Sequence, residues 1–294
     1  MFKGKTILID GRNSVDSWTK AIKIISAQPE ILAGEDYLGN AKYTKDANLI
    51  IVLDEEAVED IVDMVIPEAF EQGLQAIAEY GKEYTYHFVK RNWTLPEKYK
   101  FQYNYFDRFI NYALPVVFVS QGNLLELNIP EKYFCRNKEG GLTGGFDQIS
   151  WLHDAIRKDG ISRRHQIITW MPGIDCFDSN PPCLQRIWIR VLVPKSEYHK
   201  YPGCVPVEIG IMYRSWDIGR AICSNLFGII SMLYRYVLGN QTEETEYFMD
   251  RLDINGNPYE LNTYNKIDYK IEKMVLFCNS GHVYEDSYDL FKRA

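Results

Sequence analysis

The chain has 294 residues, 46% of them hydrophobic and 25% charged, with a formal net charge of −7. That length buries a substantial core, while the acidity argues against a general nucleic-acid binder and leaves room for a small anionic ligand on a local arginine cluster. No apolar run reaches the roughly 18 residues that cross a bilayer, and the start has no signal-peptide pattern, so a cytoplasmic protein without membrane association is expected.

Thr6 to Asp10 reads as a short strand, followed by helical spacing from Asp16 to Ile25 with Ser14 or Asp16 as N-cap. Gly34 to Asp46 is polar and reads as a loop; Asn48 to Leu53 suits a buried strand. A helical region runs from about Glu55 to Gly81, with Pro67 as a break or first-turn residue. The aromatic stretch Tyr84 to Tyr112 gives no clear period, and Leu114 to Ser120 reads as a strand. The glycines of Lys138 to Gly145 predict a flexible loop. Asp147 to Lys158 is an amphipathic helix with Ile149, Leu152, Ala155 and Ile156 on one face and Gly160 as its stop.

Gln166 to Trp170 is strand-like, and Arg186 to Val193 and Val205 to Tyr213 alternate with period two as two antiparallel strands. Asp217 to Leu238 has a helical apolar set, the polar stretch 240–268 looks like an insertion, and Lys273 to Phe277 reads as a last strand. These elements describe a single α/β domain of mixed strand order. The six cysteines are dispersed, with no Cys-x-x-Cys, so free thiols are expected and no metal site.

The chemistry concentrates around Asn180-Pro181-Pro182-Cys183-Leu184-Gln185. Two prolines fix the backbone before a strand and remove two donors, so Cys183 is held by its backbone. Arg163-Arg164 lies nineteen to twenty residues before it and Arg214-Ser215-Trp216-Asp217 begins thirty-one after it. Guanidinium groups that converge on a thiol favour the thiolate, whereas a cysteine in a strand otherwise serves packing. Arg214-Ser215 at the start of a helix would bind an anion such as a phosphate monoester, or Asp217 would cap that helix. Asn225 either bonds neighbouring backbone or reads a donor–acceptor edge on a ligand. His282 and Tyr284 alternate, so both face one side of an extended segment, where they meet sugar hydroxyls or close the end of a sheet.

As an ordered set, Asp147-Gln148-Ile149, Ser162-Arg163-Arg164, Pro182-Cys183, Arg214-Ser215-x-Asp217, Asn225 and His282-x-Tyr284 resemble the thymidylate synthase superfamily. The resemblance spans about residues 101–284. In Pro-Pro-Cys-Leu, Arg-Ser-x-Asp-Ile-Gly and His-x-Tyr-Glu it is most like the shorter archaeal-type synthases and the related pyrimidine-nucleotide hydroxymethylases. It implies a thymidylate synthase-like α+β fold, one domain over 1–294 with a large mixed β-sheet flanked by helices. It implies Cys183 as the nucleophile at carbon 6 of a pyrimidine nucleotide monophosphate, with 5,10-methylenetetrahydrofolate, or a methanopterin analogue, as carbon donor. By the same resemblance Arg214 and Ser215 hold the 5′-phosphate, and Arg163 and Arg164 reach it from the partner of a homodimer. Asn225 pairs with the base and favours uracil, His282 and Tyr284 contact the sugar, and Asp217 lies near the folate.

The departures are specific. Leu184 stands where histidine is usual, Tyr213 where glutamine is usual, and Ile222-Cys223-Ser224-Asn225 lacks the usual Pro-Phe-Asn. Lys42 is the candidate for the missing N-terminal phosphate arginine, Tyr105 for the active-site tyrosine, and Glu68 or Glu71 for the catalytic glutamate, unless those two are solvated carboxylates. Ten residues follow Tyr284, so the long bacterial tail over folate is not expected. The product is then methyl or hydroxymethyl. The readings that compete are hydroxymethylation of dUMP, CMP or dCMP, and a nucleotide-binding homologue without catalysis.

Overall fold

A computed structural model describes residues 6–11, 14–35, 41–62, 105–113, 117–120, 123–126, 129–136, 142–178, 180–202, 204–239, 269–285 and 287–288. The two alternating segments form neighbouring antiparallel strands, Leu184–Val191 and Val205–Tyr213, in register from Leu184↔Tyr213 to Val191↔Val207. Side chains alternate across a strand, and Val205, Val207, Ile209, Ile211 and Tyr213 are each at most 2% exposed while the residues between them are half-buried.

These strands are part of an eight-stranded mixed sheet. Its order is β1 (Ile7–Asp10), β3 (Ala41–Asp54), β13 (Tyr269–Tyr284), β11 (Val205–Tyr213), β10 (Leu184–Val191) and β9 (Gln166–Ile168). Strand β2 (Glu30–Glu35) pairs with β3, and the short β12 (Trp216–Asp217) pairs with β13. The pairs β1·β3 and β11·β13 are parallel; β3·β13, β10·β11 and β9·β10 are antiparallel. A three-stranded sheet joins β4 (Tyr112–Ala113), β8 (Leu142–Phe146) and β7 (Phe134–Arg136), and β5 (Val117–Ser120) with β6 (Asn123–Glu126) makes a hairpin.

The helices are α1 (Ser14–Ser26), α2 (Glu55–Val62), α3 (Tyr105–Ile110), α4 (Gln148–Asp159), the single turn α5 (Pro172–Asp175) and α6 (Ile222–Leu233). In α2 the Ala57 amide donates to Asp54 Oδ1 at 3.0 Å, and in α4 the Ser150 amide donates to Asp147 Oδ1 at 2.9 Å, each a side-chain cap on an otherwise unpaired amide. Helix α4 buries Ile149, Leu152 and Ile156, the apolar face that its spacing predicts. Helix α6 is apolar nearly all round and accordingly buried. It continues into a π-helical turn, Tyr234–Leu238, that ends at Gly239 with φ of 84°, a left-handed stop suited to glycine. Helices α1 and α2 pack on β3 and β13, α2 also on α6, and α4 on β9 and α3, so sheet and helices share one hydrophobic core. Among the described residues no helix is long and apolar enough to cross a membrane.

Four expectations are corrected. Gly34 to Asp46 is not simply a loop: it holds the end of β2 and the first six residues of β3, which pair with each other at the sheet's edge. Leu142–Phe146 is a strand, and Gly145 serves close packing, since a Cβ there would sit 1.7 Å from Asn111 Oδ1. The last strand is sixteen residues long rather than five, carried past Cys278 by a register shift before Gly281. Helix α1 begins at Ser14, so Asp16 lies in its first turn rather than capping it. Most of the helix proposed for 55–81, the start of the strand proposed from Leu114, and the 240–268 insertion lie outside the described residues.

Candidate functional site

Cys183 is half-buried at the end of the loop that feeds β10, packed against the edge of the core. Its backbone is clamped from two sides. Arg214 Nη2 donates to the Pro181 carbonyl at 2.7 Å and Nε to the Pro182 carbonyl at 3.1 Å. The Arg214 amide donates to the Cys183 carbonyl at 2.9 Å. Gln185 Nε2 adds a second donor to Pro182 O at 2.7 Å. From the core side, the buried Tyr105 hydroxyl accepts from the Leu184 amide at 3.4 Å. The thiol has its own partner: Ser215 Oγ donates to Cys183 Sγ at 3.4 Å. A guanidinium has five N–H donors, so Nη1 of Arg214 is not used in these described contacts.

The segment before this loop is tied down by charge. Arg108 of α3 grips the buried Asp175 carboxylate with both nitrogens, at 2.8 and 3.3 Å. Asp175 also accepts from the Met171 amide at 2.6 Å, closing the turn of α5. Beside it Ile174 is 50% and Phe177 90% exposed, an apolar surface on the approach to Asn180.

A second group gathers where β12 meets β13. Asp217 pairs with His282 in register, and the Ile218 amide donates to the His282 carbonyl at 2.9 Å. Burial pushes the Asp217 carboxyl above the usual carboxylate range, against the pull of the Arg220 amide and of His282 and Arg220. His282 Nδ1 lies 3.1 Å from the Ser280 carbonyl, which places the proton of a neutral ring on Nδ1 and leaves Nε2 as an acceptor. The His282 and Tyr284 rings meet edge to face at 4.8 Å, and Lys42 Nζ sits 3.8 Å above the Tyr284 ring. Asn225, on α6, is 3% exposed; its Oδ1 accepts from Trp216 Nε1 at 3.0 Å.

Cys183, Arg214, Ser215 and Tyr105 thus come together through direct contacts, and Asp217, His282, Tyr284 and Lys42 through another set. One site expectation is corrected. Arg214-Ser215 does not start a helix: β12 and a turn intervene before α6 begins at Ile222, and Asp217 Oδ1 caps that turn through the Arg220 amide at 3.0 Å. Its anion-binding capacity therefore rests on the guanidinium and hydroxyl rather than on helix amides. Arg163 and Arg164 do not converge on Cys183 within the chain. The neighbouring His165 carbonyl accepts from Ile189, which at about 3.3 Å per residue along β10 lies ~20 Å from the thiol. Both arginines are exposed, and Arg164 borders a cavity of about 570 Å³ walled by Tyr133, Phe146 and Trp151. Glu68 and Glu71 lie outside the described residues.

Three contributors escaped the sequence reading. Arg108 and Asp175 are sixty-seven residues apart in sequence, and nothing local signals their pairing. Trp216 sat inside a recognised motif, at a position that the motif leaves free. Cys278, by contrast, is the free thiol that was expected: it pairs with Tyr213 in the strand next to the Cys183 loop, and burial pushes its thiol up to about 12, so it stays a neutral hydrophobe.

No protein-family model matches the chain. It is 26% identical over 85 residues to a protein of Methanopyrus kandleri named "Putative thymidylate synthase", a match over 29% of this chain and 36% of that protein. Proteins of the same name from Methanosarcina mazei and Methanosarcina acetivorans are each 29% identical, over 94 and 93 residues, covering 32% of this chain and 38% and 37% of theirs. The chain thus spans little more than a third of the length of the curated relatives it matches, a distant relationship.

Proposed function

We propose that the chain is a thymidylate synthase-like transferase that moves a one-carbon unit to carbon 5 of a pyrimidine nucleotide, dUMP by preference. The observation that carries this reading is the Cys183 thiol, half-buried and 3.4 Å from Ser215 Oγ, on a loop whose proline carbonyls are held by Arg214. A thiolate there adds to carbon 6 of the ring; the electron pair of the 5,6 double bond moves onto the carbon 4 oxygen, and carbon 5 becomes nucleophilic. After substitution, loss of the carbon 5 proton and expulsion of the Cys183 thiolate restore the ring. Arg214 and Ser215 would bind the phosphate, with Nη1 the guanidinium nitrogen left over by the loop. His282 Nε2 would accept from a sugar hydroxyl, beside Tyr284 and Lys42.

The residues present fit a reduced folate: Ile174 and Phe177 offer apolar surface to a planar ring, and the Asp217 carboxyl offers a polar partner to it. When bound, the folate, or a methanopterin in its place, supplies the carbon unit and, for a methyl product, the hydride. Arg163 and Arg164, both exposed, would meet the phosphate bound by a second copy, and the active form in this reading is a homodimer of a thymidylate synthase-like fold.

The test is tritium release from dUMP labelled at carbon 5 with methylenetetrahydrofolate supplied, followed by the product mass, since methyl and hydroxymethyl differ by one oxygen. Release that Cys183→Ser abolishes supports the reading. No release from dUMP, UMP, dCMP or CMP defeats it, and nucleotide binding without release leaves a binding protein.

A further inference from the structure

We propose that the cavity against the outer face of α4 is a binding site for an anionic bicyclic nitrogen heterocycle, a purine nucleotide or a folate, separate from the Cys183 loop. Helix α4 carries two stripes. Ile149, Leu152 and Ile156 turn into the core. Trp151, Asp154, Ala155 and Lys158 lie three and four residues apart, so they share another face, and all four line a cavity of about 570 Å³. That volume falls within the ~300–1,000 Å³ of small-molecule sites. Tyr133 and Phe146 wall the cavity opposite the helix, and the turn after α4 closes its end with Arg164 and His165. The His165 carbonyl accepts from the Ile189 amide, six residues along β10 from Cys183, which places this end of the cavity ~20 Å from the thiol.

The aromatic wall calls for a planar ring. Tyr133 and Phe146 have centroids 6.2 Å apart, Phe146 and Trp151 6.4 Å, and the His165 imidazole extends the row by a further 6.4 Å. A row of that length offers two fused rings more contact than one. His165 is 3% exposed, and its Nδ1 is buried without a hydrogen-bond partner among the described residues. Burial pushes the imidazole below its usual range, against the pull of Asp159, so the ring is neutral. Buried polar atoms without partners are rare, and a heterocyclic nitrogen or its N–H supplies the missing one. Charge at the mouth selects an anion. Lys132 Nζ donates to Asp154 at 2.5 Å and lies 4.7 Å above the Tyr133 ring, so a cation already occupies both. Arg164 and Asp159 offset one another at 3.8 Å. Lys158 is exposed and, among the described residues, makes no ion pair, which leaves the mouth one uncompensated positive charge.

Calorimetric titration of the full chain with GMP, AMP and folic acid tests the site and separates its two sources. Saturable binding of at least one, with Kd at or below about 1 mM, is expected. GMP or AMP identifies a purine nucleotide site, and folic acid alone a pteridine site. Lys158→Glu reverses the charge at the mouth and should weaken that binding about 3- to 10-fold. His165→Phe keeps a ring, removes the polar atom and should weaken it at least about threefold. Binding of none of the three, or binding that Lys158→Glu leaves unchanged, overturns the proposal. So does an unchanged affinity in a folded His165→Phe; if that variant does not fold, Lys158→Glu decides alone. A ligand lost in Arg214→Ala but kept in Lys158→Glu sits at the Cys183 loop and overturns the proposal as well. Tritium release from dUMP has no bearing on these outcomes, so the one-carbon reading and this one fail separately.

Discussion

Removal of the Arg108 guanidinium should destabilise the protein well beyond the loss of a surface ion pair. The Asp175 side chain has no solvent exposure and that of Arg108 only 14%, and the two share contacts of 2.8 and 3.3 Å. In Arg108→Ala the carboxylate keeps the Met171 amide, 2.6 Å away, and stays buried. Breaking a buried pair from one side costs about 3–5 kcal/mol, because a charge remains without compensation. For a chain of this size that corresponds to a fall in Tm of roughly 6–20 °C, at about 2–4 °C per kcal/mol. Replacing both partners, Arg108→Met with Asp175→Leu, removes both charges and should recover most of the loss. Urea unfolding of the wild type, both single variants and the double variant gives the coupling directly. Arg108→Ala within about 1 kcal/mol of wild type, or a double variant no more stable than the single, would refute the reasoning.

Asp217→Asn should be at least as stable as the wild type at pH 8. Burial raises the folded-state pKa of Asp217, so its stabilising contribution is complete below the unfolded value and is lost as pH rises through the folded one. Thermal melts from pH 4 to 8 should therefore show the variant gaining on the wild type as pH rises; a gain on acidification instead would contradict the sign. Gly281→Ala would place a Cβ 2.6 Å from Leu49 Cδ1 and 3.2 Å from Ile218 Cγ1 beside His282. Denaturant titration should report a loss of about 1–3 kcal/mol, and an unchanged midpoint would show that Leu49 moves aside freely. Ile209→Ala, at a fully buried position of the central strand β11, should lose about 2–5 kcal/mol in the same assay; a loss under about 1 kcal/mol would mean that the sheet is not the core.

The parts of the fold that the sequence displayed were those where burial and period coincide. Throughout β11, and in β10 from Ile187 onward, every second residue is apolar and enclosed, and α4 carries its cap Asp147, its apolar face and its basic last turn in thirteen consecutive residues. The first part of β3 hid because it is polar: Lys42, Thr44 and Asp46 read as a loop, yet they lie in a strand that β2 and β13 pair on either side. Gly145 looked like slack in the chain because its reason, the close approach of Asn111, is distant in sequence. The Cys183 loop was legible from its prolines, whereas the clamp on it was not. Arg214 reaches back thirty-two and thirty-three residues to the two proline carbonyls, and Arg108 reaches forward sixty-seven to Asp175. The length of α6 was overestimated at its start because Asp217 suits a helix N-terminus and is nevertheless drawn, with Trp216, into pairing with β13.

The claim at the centre is a covalent bond between Cys183 Sγ and carbon 6 of a pyrimidine. It is tested most directly by intact-mass measurement after incubation with 5-fluoro-dUMP and methylenetetrahydrofolate, because fluorine at carbon 5 cannot leave as a proton and the adduct accumulates. The account predicts a mass increase equal to nucleotide plus folate, located by proteolysis on the peptide that contains Cys183 and absent from Cys183→Ser. An unmodified chain at saturating ligand, or the same adduct on the serine variant, would contradict it.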